Sequence, residues 1–207
     1  MPGWQQFYET HRDQGFEIVS VAMEHTGREA ARPYVERAQT TFPTVVDEQG
    51  VTPQVFGFKA VPNGVLVDAD GTIRWTKFGG FSIDRPEDVA AVEDFLSGRD
   101  IQSPVGQEPP YQLERAEREL VATKLRLGQL LHSRGRRDEA VQEWREALRR
   151  DPASLVIRKQ IWAALYPEKF HPTIDWNWQR GQLAREREEE MAAGICGPDG
   201  CPIPARA

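Results

Sequence analysis

Two apolar runs on either side of a tight-turn signal constrain this chain more than any other feature. Val65-Leu66-Val67-Asp68 leads into Ala69-Asp70-Gly71, and Thr72-Ile73-Arg74-Trp75-Thr76-Lys77 follows. Asp-Gly between β-branched and aromatic runs selects an antiparallel hairpin, because glycine reaches the positive φ that a turn of matching twist demands. Val61-Pro62-Asn63-Gly64 stands before the first run, and Gly79-Gly80 closes the second.

Upstream of the hairpin, helical and strand patterns alternate. Trp4, Phe7, Tyr8 and His11 recur at helical spacing and stop before Gly15, which predicts an amphipathic helix over residues 3–14. Residues 16–23 form a β-branched run and predict a buried strand. A helix is expected over 27–40, with Ala31, Tyr34, Val35 and Ala38 on one face. Residues 42–47 read as a short strand and 52–56 as a short helix stopped by Gly57. After the hairpin, Pro86 in a first turn and Val89, Val92, Phe95 and Leu96 on one side predict a helix over 84–96. The order α-β-α-β-α-β-β-α predicts an α/β fold, a mixed sheet with helices on both faces.

The second half changes character. Residues 98–111 hold Pro and Gly without periodicity and read as a linker. Helices are expected over 113–131, 138–150 and 155–165, with Gly135 at a turn and Asp151-Pro152 as a stop. Leu127, Gly128, Leu131, Gly135, Ala140, Trp144, Ala147 and Pro152 match the tetratricopeptide (TPR) pattern, which puts small residues where two helices touch. One such repeat cannot bury its own faces, so a packed helix-turn-helix unit is favoured over a peptide-binding groove. The aromatic stretch from Tyr166 to Trp178 reads as an anchor onto a core, and a charged helix is expected over 182–191. The resulting division is 1–97, a linker over 98–111, a helical TPR-like unit over 112–165, and a C-terminal segment with a cysteine-containing tail over 166–207.

Charge narrows the function classes. Residues 1–100 carry 9 Lys and Arg against 16 Asp and Glu, which argues against a nucleic-acid surface. No run approaches the roughly 20 apolar residues of a membrane span, and no leader pattern opens the chain, so as written it would be cytoplasmic. The four histidines, His11, His25, His132 and His171, are scattered, and none sits in a nucleophile motif.

Met1-Pro2, the stretch Gly15 to Val21, Phe42-Pro43, Asp47, Phe56-Gly57, Val61-Pro62-Asn63 and Val67 to Ile73 together resemble the TlpA/ResA-like thiol–disulfide oxidoreductases of the thioredoxin fold. The resemblance covers residues 1–97. It implies a thioredoxin-like mixed sheet flanked by helices and a cis-proline loop at Val61, Pro62 and Asn63 that receives an extended substrate strand. In that family a strand and a Trp-x-x-Cys-x-x-Cys turn come before the Met-Pro at which this chain begins. The fold is therefore expected to be N-terminally truncated, with no catalytic cysteine in the usual position. Three origins are open: a catalytic Cys or selenocysteine segment upstream of Met1, a genuine loss that leaves an exposed sheet edge, or a transfer of the chemistry to the tail.

The tail holds both cysteines, Cys196 and Cys201, separated by Gly-Pro-Asp-Gly. Such a turn permits the close approach of Cα atoms that a disulfide needs, so the pair is a candidate redox site. A metal site is the weaker reading, since two thiolates fall short of four ligands and His171 is the one histidine nearby; no metal and no cofactor is expected. The function expected is a thioredoxin-like redox protein acting on protein thiols and disulfides or on peroxide. The alternative is a redox-inactive adaptor that binds a protein partner through its helical extension. No nucleic-acid partner is expected.

Overall fold

A computed structural model describes residues 1–24, 27–104 and 111–195. The chain divides into two units. The first comprises Met1–Thr52 and Ala60–Gln107; the second comprises Pro53–Lys59 and Glu108–Ala207. Pro53–Lys59 lies inside the stretch that the sequence reading gives to the first domain, yet it groups with the helical half.

The first unit is mixed α/β. Helix α1 (Pro2–His11) runs into a 3-10 turn that stops at Gly15 in the left-handed region, φ 79°. Strand β1 (Ser20–Ala22), helix α2 (Arg28–Ala38) and strand β2 (Thr44–Val46) follow, and helix α3 (Val51–Phe56) begins in this unit and passes into the second at Pro53. The expected hairpin forms from β3 (Gly64–Val67) and β4 (Ile73–Lys77), and α4 (Pro86–Leu96) closes the unit. Phe7 and Tyr8 of α1, Phe16, Phe42, Leu66 of β3, Trp75 of β4 and Val92 of α4 form one core. Large apolar side chains at such positions contribute roughly 1.5–3 kcal/mol each when fully removed from water.

Three expectations change. The strands do not form one sheet: β1 pairs in parallel with β2, β3 pairs antiparallel with β4, and the two ladders stay separate. Among the described residues each strand therefore has a single ladder partner, although one core serves the hairpin and α1 together. The strand expected over 16–23 joins a ladder only at Ser20–Ala22, and it is not buried. Val19 is 60% exposed and Val21 43%, beside the paired Val45. Period-two alternation carries these valines to a face that the first unit's core does not cover. The linker expected over 98–111 is partly docked as well. Ile101 packs against the core, the Ser103 hydroxyl accepts the Thr76 N–H at 3.0 Å, and Tyr111 is buried.

In the hairpin turn Asp70 accepts the Thr72 N–H at 2.8 Å. That hydrogen bond, chiefly the backbone N–H of Thr72, holds the Asp70 carboxyl below its ordinary value of 3.8. A depressed carboxyl stabilises the folded turn above pH 3.8, and the contribution disappears as pH falls through the lowered value. In an NMR titration the Thr72 amide should therefore move with a midpoint below 3.8; a midpoint at or above it would remove the role given to the hydrogen bond.

The second unit is helical. Helix α5 (Arg115–Ser133) opens on a capping box made by Glu114 and Glu117. Gly135, φ 75°, turns the chain into α6 (Arg137–Arg150), and α7 (Leu155–Leu165) follows with Ser154 as its cap. Helix α8 (Trp176–Ala192) starts at Trp176 rather than at 182, because the Asp175 carboxylate accepts the Trp178 N–H at 2.9 Å and caps it there. Tyr111, Leu125, Trp144, Ala147, Ile157 and Ile161 belong to the core of this unit. Buried Arg158 ties α7 to α8 through Glu186 at 2.7 Å and Glu190 at 2.5 Å, and the Trp162 indole N–H donates to Glu186. Trp178 packs against Trp162 and Tyr166, as expected of an anchor, while Trp176 is exposed.

Candidate functional site

The Val61–Pro62–Asn63 loop enters β3, and the Val61–Pro62 peptide is cis. The loop is exposed at Val61 and Pro62. Its backbone is held from the segment after β4. The Phe81 N–H donates to the Pro62 carbonyl at 3.2 Å, and the Gly79 N–H donates to Asn63 Oδ1 at 2.7 Å. Gly79 and Gly80 both have positive φ, 83° and 72°, so the chain curls back toward the loop at a cost that other residues would not tolerate.

Phe81 is the hub. Its ring stacks on Trp4 at 4.9 Å and meets Trp75 edge-on at 5.7 Å. A Cβ on Gly64 would lie 2.8 Å from this ring, so the first residue of β3 is a glycine for close approach. A Cβ on Gly3 would likewise meet Ile83 at 2.7 Å. The first turn of α1 and the cis-proline loop are thereby gathered around one short segment, residues 79–83. Replacing Gly64 with alanine should cost about 1–3 kcal/mol by overpacking the Phe81 ring. Urea denaturation reads this directly, and an unchanged midpoint would mean that the ring has room to move.

The same segment is pinned from below by a buried ion pair. Lys77 of β4 donates to Asp88 of α4, and the other Asp88 oxygen accepts the Ser82 N–H at 2.8 Å. Both side chains are almost fully buried, Lys77 7% and Asp88 1% exposed. Asp47 acts locally too, accepting the Val51 and Thr52 N–H groups at 2.8 and 2.7 Å as the cap of α3.

Of the residues singled out by sequence, Val61, Pro62 and Asn63 come together at this loop. Cys196 and Cys201 lie outside the described residues. Among the described residues no three His, Cys, Asp or Glu side chains gather as a metal site would require, and no helix is long and apolar enough to cross a membrane. Sequence reasoning put Trp4 on the apolar face of α1 without linking it to the loop, and it missed Phe81 and the Lys77–Asp88 pair. The adjacent Gly79-Gly80 was the available signal of a close backbone approach.

No family model matches the chain, and no curated protein matches it. One similar solved structure is that of a protein described as the thiol:disulfide interchange protein DsbE from Chlorobium tepidum. It is 25% identical with a TM-score of 0.41, and the match covers 47% of this chain and 65% of that one. The chain thus spans less than two thirds of that protein's length.

Proposed function

We propose that this chain belongs to a thioredoxin-like thiol–disulfide oxidoreductase of TlpA/ResA-like type, or to a peroxide-reducing redoxin, whose catalytic Cys or selenocysteine segment lies upstream of Met1. The observation that carries the reading is the convergence of the α1 first turn and the Val61–Pro62–Asn63 loop through Trp4 and Phe81. A thiol placed just ahead of α1 would sit at a helix N-terminus, where unpaired N–H groups and the helix dipole favour the thiolate. An extended substrate strand laid along the loop would bring its disulfide to that thiolate. Two electrons and two protons then pass between dithiol and disulfide by way of a mixed disulfide. Two further features fit. The ladders β1-β2 and β3-β4 are separate among the described residues, and in this reading a strand of the upstream segment joins them into a single sheet. The second unit is a TPR-like helical extension in this reading, with Gly128 lying against Trp144 where two helices touch.

Disulfide reduction by the protein isolated from its own host tests the proposal. Catalysis is expected, lost on thiol alkylation and kept when Cys196 and Cys201 are both replaced with serine. Catalysis that disappears with those two replacements would put the chemistry in the tail instead. Absence of any dithiol activity would favour the second reading, a redox-inactive adaptor for a protein partner. One observation speaks for that adaptor: Leu120, Leu127 and Leu130, at helical spacing along α5, are all exposed.

A further inference from the structure

The chain holds the lysines Lys59, Lys77, Lys124, Lys159 and Lys169. All but one of them meet a carboxylate. Lys59 pairs with Asp151 at 2.9 Å, Lys124 with Glu143 at 2.7 Å, Lys169 with Asp175 at 3.2 Å, and Lys77 with Asp88. Among the described residues no carboxylate pairs with Lys159 of α7. The residue before it, Arg158, takes Glu186 and Glu190 of α8. Lys159 instead meets an aromatic face, with Nζ 5.2 Å from the ring centroid of Trp176 at the start of α8. Lys159 is partly buried, and Trp176 is 55% exposed, so the place opens to solvent beside the indole. Burial pushes the Lys159 amine below its ordinary value of 10.5.

An ammonium held by a carboxylate is a poor nucleophile, because the pair keeps both its proton and its place. The indole face attracts the Lys159 ammonium without offering such an acceptor. Loss of the charge is also cheaper here. Acylation of Lys59 or Lys77 would leave the largely buried Asp151 or Asp88 without its cation. Acylation of Lys159 breaks no ion pair, and the amide formed keeps an N–H that can face the ring. We propose that Lys159 is a covalent acylation site that accepts short acyl groups from thioesters, with Trp176 as the wall against which the acyl chain lies. The unprotonated Nζ adds to the thioester carbonyl carbon. The N–C bond forms, the C–S bond breaks, the sulfur leaves as thiolate, and the nitrogen gives one proton to water. The assignment concerns the helical unit alone and is independent of the redox reading.

Competitive labelling of the full 207-residue chain with a limiting amount of the acetyl thioester of N-acetylcysteamine tests this. Peptide mass spectrometry gives the rate at each lysine, once for the folded protein and once in urea. Dividing the folded rate by the urea rate removes the effect of local sequence and leaves that of the fold. The ratio for Lys159 should exceed those for Lys124 and Lys169 by about fivefold, the scale set by a partly exposed ion pair. Lys59 and Lys77 should be slower still. The rate at Lys159 should also level off at a lower pH than the rates at Lys124 and Lys169, which separates an easily deprotonated amine from one that is merely more accessible. A Lys159 ratio no higher than those of Lys124 and Lys169 would overturn the proposal. So would first modification at Lys59 or Lys77, or one pH dependence shared by Lys159, Lys124 and Lys169.

Discussion

Exchanging Trp144 for alanine lowers the stability of the helical unit by about 3–5 kcal/mol. The indole is completely buried, and its Nε1–H donates to the Leu125 carbonyl at 3.2 Å. The facing residue is Gly128, where a Cβ would stand 2.3 Å from the indole nitrogen. The space left by the side chain therefore has no neighbour on that side that can fill it, and cavities that cannot collapse carry the larger penalties. The reciprocal change, which overpacks the contact instead of emptying it, also destabilises. Gly→Ala in an open helix gains roughly 1 kcal/mol, yet Gly128→Ala should destabilise, because the indole has nowhere to go. A loss on this scale is a large share of the 5–15 kcal/mol that typically holds a domain folded. Urea unfolding followed at 222 nm checks both variants. A loss below about 1 kcal/mol for Trp144→Ala would mean that α5 and α6 do not depend on this contact.

Lys77→Met is expected to be nearly as costly in the first unit. The Asp88 carboxylate, 1% exposed, would keep the Ser82 N–H and lose the ammonium that neutralises it. Removing one member of a buried pair typically costs about 3–5 kcal/mol, because the surviving charge stays in a poorly solvating interior. The pair itself need not be worth that much. Its formation has already cost the desolvation of both groups, so Lys77→Met combined with Asp88→Leu should recover most of the loss. The pair also holds β4, α4 and Ser82 together just beyond Phe81. The single variant should therefore loosen the Gly79–Asn63 and Phe81–Pro62 hydrogen bonds before the rest of the unit unfolds. A double variant no more stable than Lys77→Met would contradict the charge argument and point to packing alone.

What could be read from the sequence follows the range of the interactions. The hairpin was legible because its signal, two β-branched runs about Asp70-Gly71, lies within one short window. Gly15 and Gly135 as stops were legible for the same reason, since a left-handed residue ends a helix wherever it stands. Gly128 and Trp144 were singled out as positions in a helical pattern, but their direct contact is a feature of the folded chain. Pairing of strands is not local, and nothing in the valine-rich run near β1 says which neighbour it has. The run looked buried because its composition suits a covered sheet, and Val19 and Val21 are exposed because the core of the first unit packs on the other side. Lys59 and Asp151 stand 92 positions apart, and Tyr111 sits beside two prolines that suggest a loop without revealing its burial. The loop at Val61, Pro62 and Asn63 was found from the family resemblance. Its support by Trp4, Gly79 and Phe81 required the folded structure.

The central claim is that a thiol or selenol segment precedes α1 and meets the cis-proline loop. The intact mass of the protein from its own host, together with the sequence of its N-terminal peptide, tests this most directly. The expected result is a mass clearly above the 23.5 kDa of Met1 to Ala207, with a Cys-x-x-Cys or Sec-x-x-Cys peptide ahead of Met1. A mass equal to 23.5 kDa with Met1 at the start would contradict it, and the chain would then have to act through its tail cysteines or through a binding partner.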